Sequence, residues 1–284
     1  MSGDTRLIRV AHSPDSDDAF MFWALAEDKI PTGRWRFEHV LSDIETLNRK
    51  AEEGEYEVTA VSIHAYAYLH ARYALLDSGA SMGDNYGPML VTSRPIPLNE
   101  IKSLRIAIPG KRTSAALALQ LCLGRNLNLV VFPFDAITDA VKQGKVEAGL
   151  LIHEGQLTYQ RDGLYSAVNL GQWWHSRTDG LPLPLGGNTI RRDLGPSAMR
   201  EIAGILKASI RYGLDHRETA LSHAMKYARN LARPDADKFV GMYVNDLTID
   251  YGDRGRAAVH LFLDQAFQEG LIPHKVPIEF ISDN

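Results

Sequence analysis

Glu147–Gly155, EAGLLIHEG, is the stretch of this chain whose residue types and order point most directly to chemistry. Ala148–Ile152 is an apolar run without alternation, the pattern of a strand buried on both faces in a parallel sheet covered by helices. The run stops at His153-Glu154-Gly155. Open α/β sheets bind ligands beyond the carboxyl ends of their strands. The order of residues therefore predicts an imidazole, followed at once by a carboxylate, where such folds place their reacting groups. Histidine suits general acid–base work because a free imidazole titrates near neutrality. A strand-end histidine that caps a helix or meets solvent would read the same way, and both readings stand.

Other residues could contact a ligand. Thr113-Ser114 opens a helix, where hydroxyls and first-turn N–H groups can hold a carboxylate; plain N-capping is the other reading, and the two can coexist. Ser62 ends a strand in the first half and mirrors His153, again with a capping role as the alternative. Ser13 with Asp15, Ser16, Asp17 and Asp18 opens the first helix, where acidic residues complement the helix dipole or hydrogen-bond a polyol. Glu154 can orient His153, although adjacent side chains often diverge. Gly83–Pro88 is a turn-rich segment suited to a hinge. Trp173-Trp174-His175 is either a stacking wall or a pair divided between core and surface.

The elements that must position these groups alternate along the chain. Leu7–Ala11, Arg36–Leu41 and Tyr56–Ile63 read as strands, with helices over Asp17–Glu27, Ile44–Glu53 and His64–Tyr73. This βαβαβ order predicts a parallel sheet. A second set follows: strands Leu104–Ile108, Leu129–Pro133 and Ala148–Ile152, and helices Thr113–Leu123 and Ala136–Lys142. Gly79–Pro97, with a strand at Met89–Thr92, and Leu181–Arg191 read as linking stretches. The remainder is helical, over Pro196–Arg211, from Asp215 to about Asn230, Asp235–Asn245 and Arg254–Glu269. The fold class expected is α/β, a two-lobe, type II periplasmic-binding-protein architecture with a ligand cleft between the lobes. Residues 1–93 plus roughly 186–284 would form lobe 1 and residues 94–185 lobe 2.

Composition narrows the class. A net charge of -4 gives no basic footprint for nucleic acid. The single cysteine, Cys122, cannot form an internal disulfide and reads as core packing. No apolar run reaches membrane-spanning length, and the N-terminal residues lack a signal-peptide h-region, so a cytoplasmic location without membrane association is expected. There is no HExxH, CxxC, GxGxxG, GxxxxGK[ST] or GxSxG spacing, so the expectation is no metal, no cofactor and no serine nucleophile. The oligomeric state is not legible.

HSPDSDDAFMFWAL, SDIETLN, VTAVSIHAY, MGDNYGPMLV, GKRTSAALAL and AGLLIHEGQLTY occur in the order and spacing of one family. Over residues 7–190 the chain resembles the 1,4-dihydroxy-6-naphthoate synthases of the futalosine route to menaquinone. The resemblance implies a lyase, independent of cofactors, that cleaves cyclic de-hypoxanthine futalosine to 1,4-dihydroxy-6-naphthoate and dihydroxyacetone, a small-molecule carboxylate being its substrate. It implies His153 as proton acceptor, and Ala60-Val61-Ser62 and Thr113-Ser114 as substrate-binding segments. Ser13, Asp17 and Glu154 are further substrate-binding candidates. The family usually has Asn where Asp17 stands and a bulkier polar residue where Ala60 stands. A solute-binding protein without catalysis, the sister enzyme chorismate dehydratase and a paralogue with a changed substrate are the alternatives.

Overall fold

The computed structural model describes residues 5–228 and 231–283. The chain forms two compact units. Unit 1 takes the residues up to Ser81, Gly186–Asp253 and those from Val276; unit 2 takes Met82–Leu185 and Arg254–Lys275. The chain thus passes between units four times, at 81–82, 185–186, 253–254 and 275–276. The sequence placed passages at 93–94 and near 185–186.

In chain order, the first elements are β1 (Arg6–His12), α1 (Ser16–Ala26), β2 (Trp35–Leu41), α2 (Ile44–Glu53), β3 (Val58–Ser62), α3 (Ile63–Leu69) and β4 (Tyr73–Leu76). Next come β5 (Ser81–Gly83), β6 (Met89–Thr92), α4 (Leu98–Ile101), β7 (Arg105–Ile108), α5 (Ser114–Leu123), β8 (Asn128–Val131), α6 (Ile137–Lys142), β9 (Ala148–Leu151), α7 (Gly155–Thr158), β10 (Tyr165–Asn169) and α8 (Leu170–Arg177). The chain closes with β11 (Leu183–Arg191), α9 (Pro196–Asp215), α10 (Arg217–Ala224), α11 (Arg233–Tyr243), α12 (Asp246–Ile249), α13 (Gly252–Gln268) and β12 (Phe280–Ile281). The helix expected to run to about Asn230 ends as α10 at Ala224, followed by a 3₁₀ turn over Met225–Tyr227; positions 229–230 lie outside the described residues.

The unit-1 sheet has the order β12-β4-β11-β3-β1-β2, and β5 also pairs with β11. The unit-2 sheet has the order β10-β6-β9-β7-β8. Both are mixed, where a parallel sheet was expected. β1 runs parallel to β2 and β3, and β7 to β8 and β9, but β11 is antiparallel to β3 and β4, and β6 to β9. The expected linker Leu181–Arg191 is mostly β11, a strand inside the sheet. Its Pro184, Gly186 and Gly187 imitate a turn signal. Pro184 precedes the ladder with β3, which begins at Gly186. Gly187 answers close packing instead of a turn, since a Cβ there would lie 2.3 Å from the Tyr251 hydroxyl oxygen.

Local sequence explains the helix ends near the candidate residues. Asp43 caps α2 by accepting from Thr46 N–H at 3.0 Å, and Gly54 ends the helix at φ 75°. The spacing of Phe20, Met21, Ala24 and Leu25 predicts one buried face for α1. The helix buries Phe20–Leu25 continuously, because α9 and α10 cover it along with Ile8 and Val10 of β1. α9 supplies Met199, Ile202, Leu206 and Ile210 to that core. No helix among the described residues is long and apolar enough to cross a membrane.

Candidate active site

In unit 2, β9 is buried along its whole length and runs parallel beside β7, Ile106 facing Ala148 and Ala107 facing Gly149. Parallel neighbours end on the same edge, so the segments that follow β7 and β9 share it. His153 stands on the turn after β9, whose carbonyl accepts from Gln156 N–H at 2.9 Å. Its half-buried ring meets the ring of Phe134 edge-on, with centroids 4.1 Å apart and planes at 64°. Phe134 stands on the 3₁₀ turn before α6, so the imidazole is placed by two turns of the same unit. Glu154 is buried at the start of α7.

Thr113 is the N-cap of α5. Its hydroxyl donates to Gly110 O at 2.9 Å and accepts from Ala116 N–H at 3.3 Å. The Ser114 hydroxyl donates to Leu185 O at 2.5 Å. The capping role is therefore realised, and both hydroxyl protons are held by protein carbonyls. Toward an anion this segment would present the first-turn backbone N–H groups of α5 and the positive end of its dipole.

In unit 1, β1 and β3 are parallel neighbours and end on a common edge. Ser62 is held there by Asn48 of α2: Ser62 N–H donates to Asn48 Oδ1 at 2.9 Å, and Asn48 Nδ2 donates to Ser62 Oγ at 3.1 Å. Val61 is buried with Ala51, Ala65, Leu69 and Tyr73, while Ala60 packs half-buried beside Ala11, Leu47 and Tyr56. Ser13 N–H donates to Asp18 at 2.7 Å and its hydroxyl to Asp15 at 2.8 Å, so these carboxylates fix the turn that opens α1. Asp17 is half-buried in the first turn of α1.

The sequence reading missed Asn48 and His12. Asn48 was legible as an amide on the buried stripe of α2, between Leu47 and Ala51. His12 had no local signal. It stacks on Phe22 at 4.4 Å, its Nδ1 lies 3.0 Å from Ser13 O, and its Nε2 lies 3.1 Å from Nδ1 of His39. A carbonyl only accepts, so His12 Nδ1–H donates to Ser13 O, and His12 Nε2 accepts from His39 Nδ1–H.

The family described as menaquinone biosynthesis matches residues 8–268. The chain belongs to this family. It is 40% identical over 264 residues to the 1,4-dihydroxy-6-naphtoate synthase of Thermus thermophilus, covering 93% of this chain and 95% of that protein. Among solved structures it is similar to protein AF1704 of Archaeoglobus fulgidus, with a TM-score of 0.89 and 46% identity over 94% of this chain and 98% of that one. The alkanesulfonate-binding protein SsuA of Xanthomonas axonopodis, bound to MOPS, has a TM-score of 0.72 at 14% identity over 97% of each chain. That likeness is one of fold: an α/β, periplasmic-binding-protein-like fold carries this menaquinone-biosynthesis sequence.

Residues outside the two edges have settled roles within their units. Trp174 is buried against Phe262 and donates its indole N–H to Pro182 O at 3.0 Å, while Trp173 is half-buried under Arg177. Asp84, in the expected hinge segment, takes a bidentate pair from Arg254 at 2.7 Å for each bond. Cys122 is half-buried on α5, and burial pushes its thiol up to about 11.

His12 gives this member of the family a defined acid response. Burial, and then the neighbouring His39, push its pKa down from 6.5 to about 3. A lowered histidine pKa means that the unfolded chain takes up a proton the native chain refuses. The stability contributed is full above pH 6.5 and is lost as pH falls from 6.5 toward 3. Burial lowers the His39 pKa as well, adding to the same arm. Unfolding free energy is expected to drop by about 2–3 kcal/mol between pH 6.5 and 4.5 from His12 alone, at about 1.4 kcal/mol per unit. Denaturant melts of the wild type and His12→Gln across that window check this; an equally steep arm in the variant removes His12 as the cause.

Proposed function

We propose that the chain is a carbon–carbon lyase of menaquinone biosynthesis that cleaves cyclic de-hypoxanthine futalosine to 1,4-dihydroxy-6-naphthoate and dihydroxyacetone. The observation that carries this reading is the position of His153, on the turn closing β9 at the carboxyl edge of its sheet, within the span matched by the family. The synthase name of the Thermus thermophilus relative supports the same reaction.

In this reading His153 is the general base. A proton leaves the substrate for the imidazole, the bond to the three-carbon fragment breaks, and the ring system becomes aromatic. No net oxidation occurs, and the atoms of the substrate are divided between the two products. General-base help of this kind contributes about 10²–10⁴-fold. The Phe134 ring packs edge-on against the imidazole. The amino end of α5, at Thr113-Ser114, would hold the substrate carboxylate through backbone N–H groups. Ser13, Asp17 and Ala60-Val61-Ser62 are the proposed substrate-binding residues of unit 1, with Asn48 fixing Ser62. Glu154 is a proposed substrate-binding residue of unit 2.

Incubation of the purified protein with cyclic de-hypoxanthine futalosine tests the reading, with dihydroxynaphthoate followed by absorbance and mass. Product is expected with no added metal or nucleotide and in the presence of a chelator. Tight binding of unchanged substrate would identify a binding protein instead, and a protein that neither binds nor converts it acts on another ligand.

A further inference from the structure

Two buried polar side chains on the carboxyl edge of the unit-1 sheet each carry a polar atom that no protein group answers. Asn188 is 2% exposed and Ser78 is 1% exposed. Neither Asn188 Nδ2 nor Ser78 Oγ has a hydrogen-bond partner among the described residues. Buried amides and hydroxyls are nearly always answered, because an unanswered one loses its hydration for nothing.

Their place in the sheet is informative. Asn188, on β11, stands directly opposite Ala60 of β3, one of the residues proposed to bind substrate. β11 is antiparallel to both β3 and β4, so its early residues meet the carboxyl ends of both strands. Ser78 follows β4 by two residues and lies on that edge. The sequence also makes room for the amide. Gly79 has φ +83°, and a Cβ there would lie 2.0 Å from Asn188 Nδ2 and 2.8 Å from its Cγ. Gly79 N–H donates to Thr248 O at 2.7 Å, which fixes the loop against the amide. A space shaped for an amide, with no protein acceptor for its N–H, fits a residue kept for a ligand.

The charge nearby indicates the kind of atom bound. The Lys207 ammonium is already taken by Asp77, Asp250 and Asp283, at 3.1, 3.3 and 3.5 Å. An amide N–H and a hydroxyl on one sheet edge, with the Lys207 charge already matched by carboxylates, suit an uncharged oxygen. We propose that Asn188 and Ser78 are further substrate-binding residues, which hydrogen-bond a hydroxyl or carbonyl oxygen of the sugar-derived part of the substrate. This assignment rests on the function proposed above.

Asn188→Leu keeps the size of the side chain and removes the amide. A structural amide would lower the ligand-free Tm when lost. An amide kept for substrate leaves the ligand-free Tm unchanged or raises it, since an unanswered donor has been removed. In the His153→Ala background, where substrate persists, the rise in Tm on adding cyclic de-hypoxanthine futalosine is expected to shrink for Asn188→Leu and to vanish for Asn188→Asp. With His153 present, KM is expected to rise about tenfold in Asn188→Leu and about threefold in Ser78→Ala, with kcat little changed, the pattern of lost uniform binding. Should Asn188→Leu not fold, Asn188→Asp and Ser78→Ala carry the same two readouts. A lowered ligand-free Tm, or an unchanged KM and substrate-induced shift, overturns the assignment. A wild-type protein that neither binds nor converts the substrate overturns the proposed function and this assignment with it.

Discussion

His153→Ala is expected to fold normally and to lose about 10²–10⁴-fold in kcat, the range for removal of a general base. The fold should tolerate the change because the ring is half-buried and meets its Phe134 neighbour from a turn, not from within a core cluster. Truncation there opens a partly solvated gap in place of a closed cavity, and such changes usually cost under about 1 kcal/mol. β9 itself is held by ladders to β7 and β6 that do not involve the imidazole. Steady-state turnover of cyclic de-hypoxanthine futalosine, with Tm measured in parallel, checks both halves. Turnover within tenfold of wild type, with Tm intact, would falsify the base assignment.

Lys207→Met is expected to destabilise unit 1 by about 3–5 kcal/mol, the usual result of leaving a buried charge without its partner. Lys207 is the buried cation of α9, 6% exposed, between an apolar stripe and the end of β4. Its ammonium lies 3.1 Å from Asp77, which is 2% exposed, and also reaches the more exposed Asp250 and Asp283. Burial opposes the lysine charge, but hydrogen bonding and attraction from Asp77 outweigh it and raise the pKa. Burial raises the pKa of Asp77, with Lys207 pulling the other way. Methionine keeps the aliphatic length, so the loss falls on the unmatched Asp77 carboxylate. Adding Asp77→Asn is expected to restore part of the stability, because the residual buried charge is then gone. Urea midpoints of the two variants decide; a single variant within 1 kcal/mol of wild type means that Asp77 finds water or protonates at little cost.

Much of the fold near the candidate residues was legible because it is written locally. Asp43 with Gly54, and Thr113 with Gly124, bracket α2 and α5 as their residue types require. Ala148–Leu151 is a strand buried throughout, as its unalternating apolar run implied. β11 was misread because turn signals and close-packing signals use the same residues. Pro184, Gly186 and Gly187 look like a linker until Tyr251, far along the chain, shows what the missing side chain makes room for. α1 was read as amphipathic because nothing within it announces that α9 and α10 cover its second face.

The sequence by itself determined the class of elements, the family, and the identity of the groups at strand ends: His153, Ser62 and Thr113-Ser114. Each depends on residues within one turn of itself, where propensity, capping and periodicity act. Tertiary structure alone decided the partners. Asn48 reaches Ser62 across 14 residues, His39 reaches His12 across 27, and Lys207 reaches Asp77 across 130. Asn188 and Gly79 meet only because β11 inserts antiparallel between β3 and β4. Pairings of that range depend on which strand takes which place in the sheet, a choice made by burial of the whole core and by no local preference of the residues that meet.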